Sequence, residues 1–330
     1  MYQRLGVVKL KSGETVEAGV IRGPDMAWAQ RLVKLLWHKG DPWNWQNAQV
    51  LAGNLGLDAC FYVLHRDGDP FANIMTIERN GVGIFGHVWT QPADRQQGAS
   101  SGLMRWQMQD FVARGGQALF LGTGYASVAY NMYASFGFVG IEAESGYMAY
   151  YTKKQAKFET AYFAPGPVEI QPLAWPHWPT SVALFMGDYP GVVRCAPLHL
   201  IGRISTEEGL LPALLRATQQ QDQPPTVLAL VNPTTTAVVG LAAWTWDSLW
   251  PDTCLVDCYC HPDHWGRAAE LMAALQLPSA DRTVAYVDAG NRAKATLFAQ
   301  VGFKPVATLP HWLTTDTART NRVDVSIVTR

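Results

Sequence analysis

No run of eighteen apolar residues occurs anywhere in this chain, which leaves no stretch able to cross a bilayer as a helix, and no membrane partner is expected. The opening residues, Met1 to Glu14, lack the uninterrupted apolar core of a secretion signal, so the expected location is cytoplasmic. There is no excess of charge of either sign: 26 Lys and Arg against 27 Asp and Glu leave a net charge of −1. Nucleic acid is therefore not expected as a partner, because its phosphates select a basic surface. Cysteine is sparse and odd in number, at five, which argues against a disulfide framework and fits a reducing compartment. Cys254, Cys258 and Cys260, followed by His261 and His264, contain no C-x-x-C pair, and positions 254, 256, 258 and 260 share one face of a strand. They read as small buried hydrophobes, and no metal is expected.

A hydrophobic fraction of 48% over 330 residues is ample for burial and suits two domains of about 150 residues each. The expected boundaries are residues 1–152 and 168–330, with a linker over 153–167 that carries Pro165, Gly166 and Pro167. In the first half the pattern predicts a strand from Val16 to Arg22, a helix from Gly23 to about His38 and a second from Asn47 to Leu57. Three antiparallel strands follow, turning at Asp67-Gly68 and Asn80-Gly81. Trp28 and Trp37 read as core residues of the first helix, and Trp43 and Trp45 as loop residues.

The stretch Arg95-Gln96-Gln97-Gly98-Ala99-Ser100-Ser101-Gly102 joins a predicted strand, Ile84 to Thr90, to a predicted helix, Gly98 to Arg114. Glycines that let a backbone approach a ligand, followed by the free N–H groups of a helix start, make a site for an anion such as phosphate. Downstream lies a second short helix, Ala126 to Phe138, that closes on Gly137-Phe138 and carries Tyr133 four residues before the glycine. Ala129, Tyr133 and Phe136 also fit a plain core stripe.

The loop Pro92-Ala-Asp-Arg95-Gln-Gln-Gly98-Ala-Ser100, with the following helix, strand and Tyr133-x-x-x-Gly137-Phe138, resembles the GNAT superfamily of acyl-CoA-dependent N-acyltransferases. The resemblance implies an α/β (α+β) fold, a mixed, mostly antiparallel sheet flanked by helices, with acetyl-CoA as co-substrate and no metal. It implies that Arg95, Gln96, Gln97, Gly98, Ala99, Ser100 and Ser101 cradle the pyrophosphate, and that Val88, Trp89 and Thr90 run beside the pantetheine arm. Ala126 stands where the family has Asn. Tyr133 stands at the position of the general acid, and His87 is the nearest strand residue able to act as base, with Glu78 second. His38, Trp43 and Trp45 fall in the segment that walls the acceptor pocket.

The second half repeats the order of the first, as a tandem GNAT-like domain would. Pro262 matches Pro92, and Asn291 to Phe303 matches Ala126 to Phe138. Its loop is degenerate: Trp265, Ala268 and Glu270 replace Arg95, Gly98 and Ser100, and Phe298 replaces Tyr133, while Asn291 keeps the family's Asn. A negative charge at 270 opposes a phosphate. The expectation is an N-acetyltransferase that acetylates the amine of a small molecule or peptide in its first domain. The two halves would form a pseudo-dimer within one chain, itself a monomer or homodimer. The alternative is a non-catalytic acyl-CoA-binding sensor or scaffold.

Overall fold

The computed structural model describes residues 1–220, 222–314 and 320–330. The chain divides into two compact units, Met1–Val139 with Ala149–Lys154, and Gly140–Met148 with Gln155–Arg330. No helix among the described residues is long and apolar enough to cross a membrane.

The first unit is built on β1 (Tyr2–Lys9), β2 (Thr15–Arg22), α1 (Met26–Leu36), α2 (Trp43–Ala52), β3 (Asp58–Arg66), β4 (Asp69–Arg79) and β5 (Val82–Thr90). Then come α3 (Ala99–Ala113), β6 (Ala118–Gly122), α4 (Val128–Ser135), β7 (Val139–Gly140) and β8 (Tyr147–Tyr151). The strands form one sheet in the order β1-β2-β3-β4-β5-β6-β8-β7. β3 and β4 are buried along nearly their whole length, as strands covered on both faces must be, and read accordingly as continuous apolar runs. The turns between β3, β4 and β5 hold Asp67-Gly68 and Asn80-Gly81 with positive φ at every position, the two-residue geometry that matches strand twist.

The decisive feature is the β5–β6 pair. These strands run parallel, with α3 as the crossover, and are in register only from Val82 to Ile84 against Ala118 to Phe120. Beyond Ile84 they part, and the rest of β5 leaves the ladder on that side.

The second unit contains α5 (Gln155–Tyr162), β9 (Glu169–Pro172), α6 (His177–Met186), β10 (Val193–Cys195), β11 (Leu200–Ile201), α7 (Glu207–Gln219), β12 (Val227–Val231) and β13 (Val238–Trp246). It continues with β14 (Thr253–Cys260), α8 (Ala268–Ala274), β15 (Arg282–Asp288), α9 (Arg292–Gln300), β16 (Lys304–Thr314) and β17 (Arg322–Thr329). Its main sheet has the order β9-β12-β13-β14-β15-β17-β16, which repeats that of β2 to β7 in the first unit. β14 and β15 are also parallel, from Thr253 to Leu255 against Arg282 to Val284, and then part.

Here the gap is closed by the chain itself. β10 packs against β14 and β15, and Lys294 of α9 reaches Asp257 of β14 at 2.5 Å, both side chains fully buried. The ammonium also donates to the Val193 carbonyl at 2.8 Å, while Asp257 accepts from the Ala196 and Cys258 N–H groups at 2.8 and 2.7 Å. Each charge is thus met by an opposite charge and by backbone dipoles.

Several local expectations are corrected. β1 is largely exposed and lacks a strand's alternation, so the sequence does not announce it. α2 begins at Trp43, directly after Pro42, so Trp43 and Trp45 lie in its first turn and not in a loop. Trp28 is core, stacked on Tyr2 at 5.0 Å, but Trp37 is 69% exposed because α1 has ended and a 3₁₀ turn, Trp37–Lys39, has begun. The stretch expected as a linker holds α5, whose Phe158 and Tyr162 are buried. All five cysteines are buried and free.

Replacing Lys294 with Ala leaves the Asp257 carboxylate buried without its counter-charge. The unfolding free energy of the second unit is expected to drop by about 3–5 kcal/mol. Urea denaturation followed by tryptophan fluorescence measures it, and a drop of under about 1 kcal/mol, the worth of a surface pair, would show that the pair is not desolvated.

Candidate functional site

Where β5 leaves β6, a cleft of about 550 Å³ opens in the first unit. One wall is the free end of β5 (Val88, Trp89, Thr90), another the loop and first turn of α3 (Asp94 to Gln96 and Gly98 to Ser101), and the third the face of α4 carrying Val128, Ala129, Met132 and Tyr133. Its volume suits a small-molecule ligand.

The loop is held from both sides. Gln91 donates from its backbone to Phe71, and a 3₁₀ turn, Pro92–Asp94, brings Arg95 back under the strand end, where its Nε donates to the Thr90 carbonyl at 3.1 Å. The Arg95 guanidinium lies 4.5 Å from the centre of the Trp89 ring, a cation–π contact. On the other side the β1–β2 turn clamps Gln97: its carbonyl accepts from Lys11 N–H and its side-chain oxygen from Ser12 N–H, each at 3.0 Å.

Gly98 then enters α3 at φ 79, the left-handed region that a side chain disfavours, and a Cβ there would point into open space. No side chain caps α3, whereas Asp25 caps α1 and Ser127 caps α4. A 15-residue helix therefore presents its positive end to the cleft through Ala99, Ser100 and Ser101. Ser100 Oγ meets Thr90 Oγ1 at 2.9 Å and ties the first turn to the strand. Asp94, the acidic residue of the lining, is paired with Arg66 at 2.8 Å, which also holds Glu14 at 2.7 Å. What remains is a concave surface of N–H groups beside Arg95, suited to a phosphate or pyrophosphate.

Tyr133 faces this surface across the cleft. Its ring is wedged edge-on against Phe85 at 5.3 Å and the residue is 6% exposed. Burial pushes the phenol's pKa well up, so it stays protonated and able to donate. Its hydroxyl makes no hydrogen bond among the described residues.

Of the residues singled out from sequence, Val88, Trp89, Thr90, Arg95, Gln96, Gly98, Ala99, Ser100, Ser101 and Tyr133 line the one cleft. Gln97 does not: it serves the clamp. Ala126 lies outside the lining, exposed at φ 53, and its carbonyl accepts from Asn131, while the capping role passes to Ser127 one residue later. His38 stacks on Trp89 with ring centres 3.7 Å apart, next to the cleft but not in its lining. Trp43 and Trp45 are half-buried in α2 and do not reach the lining. His87 is buried within β5 and absent from the lining. Glu78, fully buried, is bound to Arg114 at 3.0 Å and to the Thr76 hydroxyl, which makes it a structural ion pair. Of the other α4 lining residues, Ala129 fits only a core stripe in the sequence and Val128 and Met132 give no signal, although all three share the helix face of Tyr133.

In the second unit, Lys294 stands eight residues before Gly302, as Ala129 stands eight before Gly137, and Asp257 stands five before Pro262, as His87 stands five before Pro92. The place of a small lining residue is taken by a side chain that bridges the gap. Glu270 is held by Arg267 at 2.7 Å, and Asn291 caps α9 by accepting from Lys294 N–H at 3.0 Å.

No family model and no curated protein matches the chain. Solved structures do. An N-acetyltransferase from Staphylococcus aureus Mu50 aligns over 50% of this chain and 98% of its own, at 17% identity and a TM-score of 0.38. An acetyltransferase of the GNAT family from Bacillus anthracis aligns over 50% and 95%, at 10% identity and a TM-score of 0.36. The ribosomal-protein-S5-alanine acetyltransferase from Vibrio fischeri aligns over 51% and 94%, at 15% identity and a TM-score of 0.36. Solved GNAT-type acetyltransferases thus match about half of the chain.

Proposed function

We propose that this chain is a GNAT-type N-acetyltransferase that carries its active site in the first unit and moves an acetyl group from acetyl-CoA to the amine of a small molecule or peptide. The observation that supports this best is that an uncapped helix start with Arg95 beside it and a protonated, unpartnered Tyr133 share one cleft at the parting of β5 and β6. The cradle fits a pyrophosphate because nothing stands where a Cβ of residue 98 would be. The Ala99, Ser100 and Ser101 N–H groups and Arg95 hold the anion, and the backbone from Val88 to Thr90 runs beside the extended arm. When bound, acetyl-CoA supplies an activated carbonyl and a thiolate leaving group.

As the C–N bond forms and the C–S bond breaks, backbone N–H on β5 stabilises negative charge that grows on the carbonyl oxygen; the Tyr133 phenol passes a proton to the departing sulfur and is reprotonated, through water, by the proton the nitrogen sheds on becoming an amide. His87 is not the base in this reading. Burial, with smaller contributions from Lys39 and His38, pushes its pKa down to about 3, too low to take a proton from an ammonium. The amine would enter neutral or lose its proton to water. The rival reading, a non-catalytic acyl-CoA sensor, draws on Ala126 in place of Asn and on the lining's one carboxylate, Asp94, being tied to Arg66. Release of coenzyme A in the presence of an amine panel separates the two, since a sensor binds without turnover.

Calorimetry with acetyl-CoA is expected to give one site per chain, and a stoichiometry of two would overturn the placement in the first unit. Gly98→Glu forces a side chain into left-handed backbone and sets a carboxylate before the anion site, so affinity should fall by about 2 kcal/mol, roughly thirtyfold. Tyr133→Phe keeps the packing but removes the proton. Turnover is expected to fall about 10²-fold with little change in acetyl-CoA affinity, and a wild-type kcat would reduce Tyr133 to a core aromatic.

The neutral His87 also sets an acid limit on stability. The unfolded chain takes up this proton near 6.5 and the folded one only near 3. Stability is therefore full above about 6.5 and lost as pH falls, by up to about 1.4 kcal/mol per pH unit from this residue. His87→Asn, which also tolerates left-handed backbone, should show a shallower decline of the urea midpoint between pH 6.5 and pH 4 than the wild type.

A further inference from the structure

The pairing of β4 with β5 slips by one residue. Met75 faces Gly86 and Asn73 faces Trp89, so that His87 and Val88 together oppose Ile74. This is a β-bulge, and its first residue, His87, has φ 50, a left-handed conformation that bulges of this kind normally give to glycine. A histidine there is disfavoured unless its surroundings hold it. One side chain holds its carbonyl: Asn73 of β4, 1% exposed, donates from Nδ2 to the His87 carbonyl at 2.9 Å.

The consequence follows from the planar trans peptide, in which C=O and N–H point in opposite directions. With the His87 carbonyl turned toward β4, the N–H of the same peptide, that of Val88, points away from β4. On that side β6 has already left the sheet, and Val88 lines the cleft. We infer that Asn73 is a positioning residue, whose amide holds the bulge so that the Val88 N–H is presented to the cleft as a donor for the acyl oxygen. Asn73 lies outside the lining and acts only through the backbone of its neighbour. The inference rests on the acetyltransferase reading for its chemistry, but not for its geometry.

The test uses the full chain with Asn73→Ala, which removes the donor, and Asn73→Asp, which keeps the shape and, ionised, cannot donate. Amide hydrogen exchange over residues 85–90 is measured without ligand, and acetyl-CoA affinity and turnover are measured separately. The expected result is exchange about tenfold faster or more in both variants, with kcat lowered about 10²-fold, as for loss of an oxyanion donor, and acetyl-CoA Kd within about threefold of wild type. Unchanged exchange together with kcat within about twofold of wild type in either folded variant overturns the assignment. If the wild type itself binds acetyl-CoA but acetylates no amine, the enzymatic reading fails, and the exchange result alone then decides whether Asn73 holds the bulge. Should Asn73→Ala not fold, Asn73→Asp carries the same two readouts.

Discussion

Two parallel strands that pair for three residues and then separate are the constraint on which the first unit depends. A parallel pair needs a crossover helix, so the parting of β5 from β6 sets the start of α3 at the mouth of the gap. The same parting leaves the last residues of β5 without a neighbour on one side, and α4 covers what would otherwise be an open notch. Uncapped helix start, free strand end and phenol are thus brought together by a single topological event, and each of them comes from a different element.

Electrostatics sharpen the cleft without giving the protein any net charge to speak of. Arg66 pairs with both Asp94 and Glu14, which offsets part of the negative charge nearest the helix start. Arg95 lines the cleft and lies over Trp89, which in turn stacks on His38. The positive character of this wall is local, and the balanced total of charged residues gives no hint of it.

What could be read from sequence was what the chain encodes over short distances. The glycine that enters α3, the turn pairs Asp67-Gly68 and Asn80-Gly81, and the interval from Tyr133 to Gly137 are all local, and each lies where its spacing predicted. In the second unit β14 was legible for the same reason, from the strand face shared by positions 254, 256, 258 and 260. The misses need a partner remote in sequence. β1 is a strand because β2 accepts it and Gly6 lets Trp106 lie against it, and neither fact is visible in Tyr2 to Lys9. His87 looked like a base because histidine titrates near neutrality, but its burial and its bulge are properties of β4 and β5 together. Asn73 has no signature at all: a lone Asn in an apolar strand gains meaning only once its partner carbonyl is known.

Asp257 and Lys294 carry a consequence for how the second unit can change. Each is fully buried and each is the other's counter-charge, so replacing either alone leaves a naked charge in the core. A route from the closed gap to one that admits a ligand by single substitutions must pass through such a chain, at a loss comparable with a large part of a domain's total stability. Paired replacement by apolar side chains avoids that loss but fills the gap again. The two positions therefore behave as a mutational ratchet: the second unit tolerates drift over its exposed surface, while its gap is held shut by a pair that can only be exchanged together.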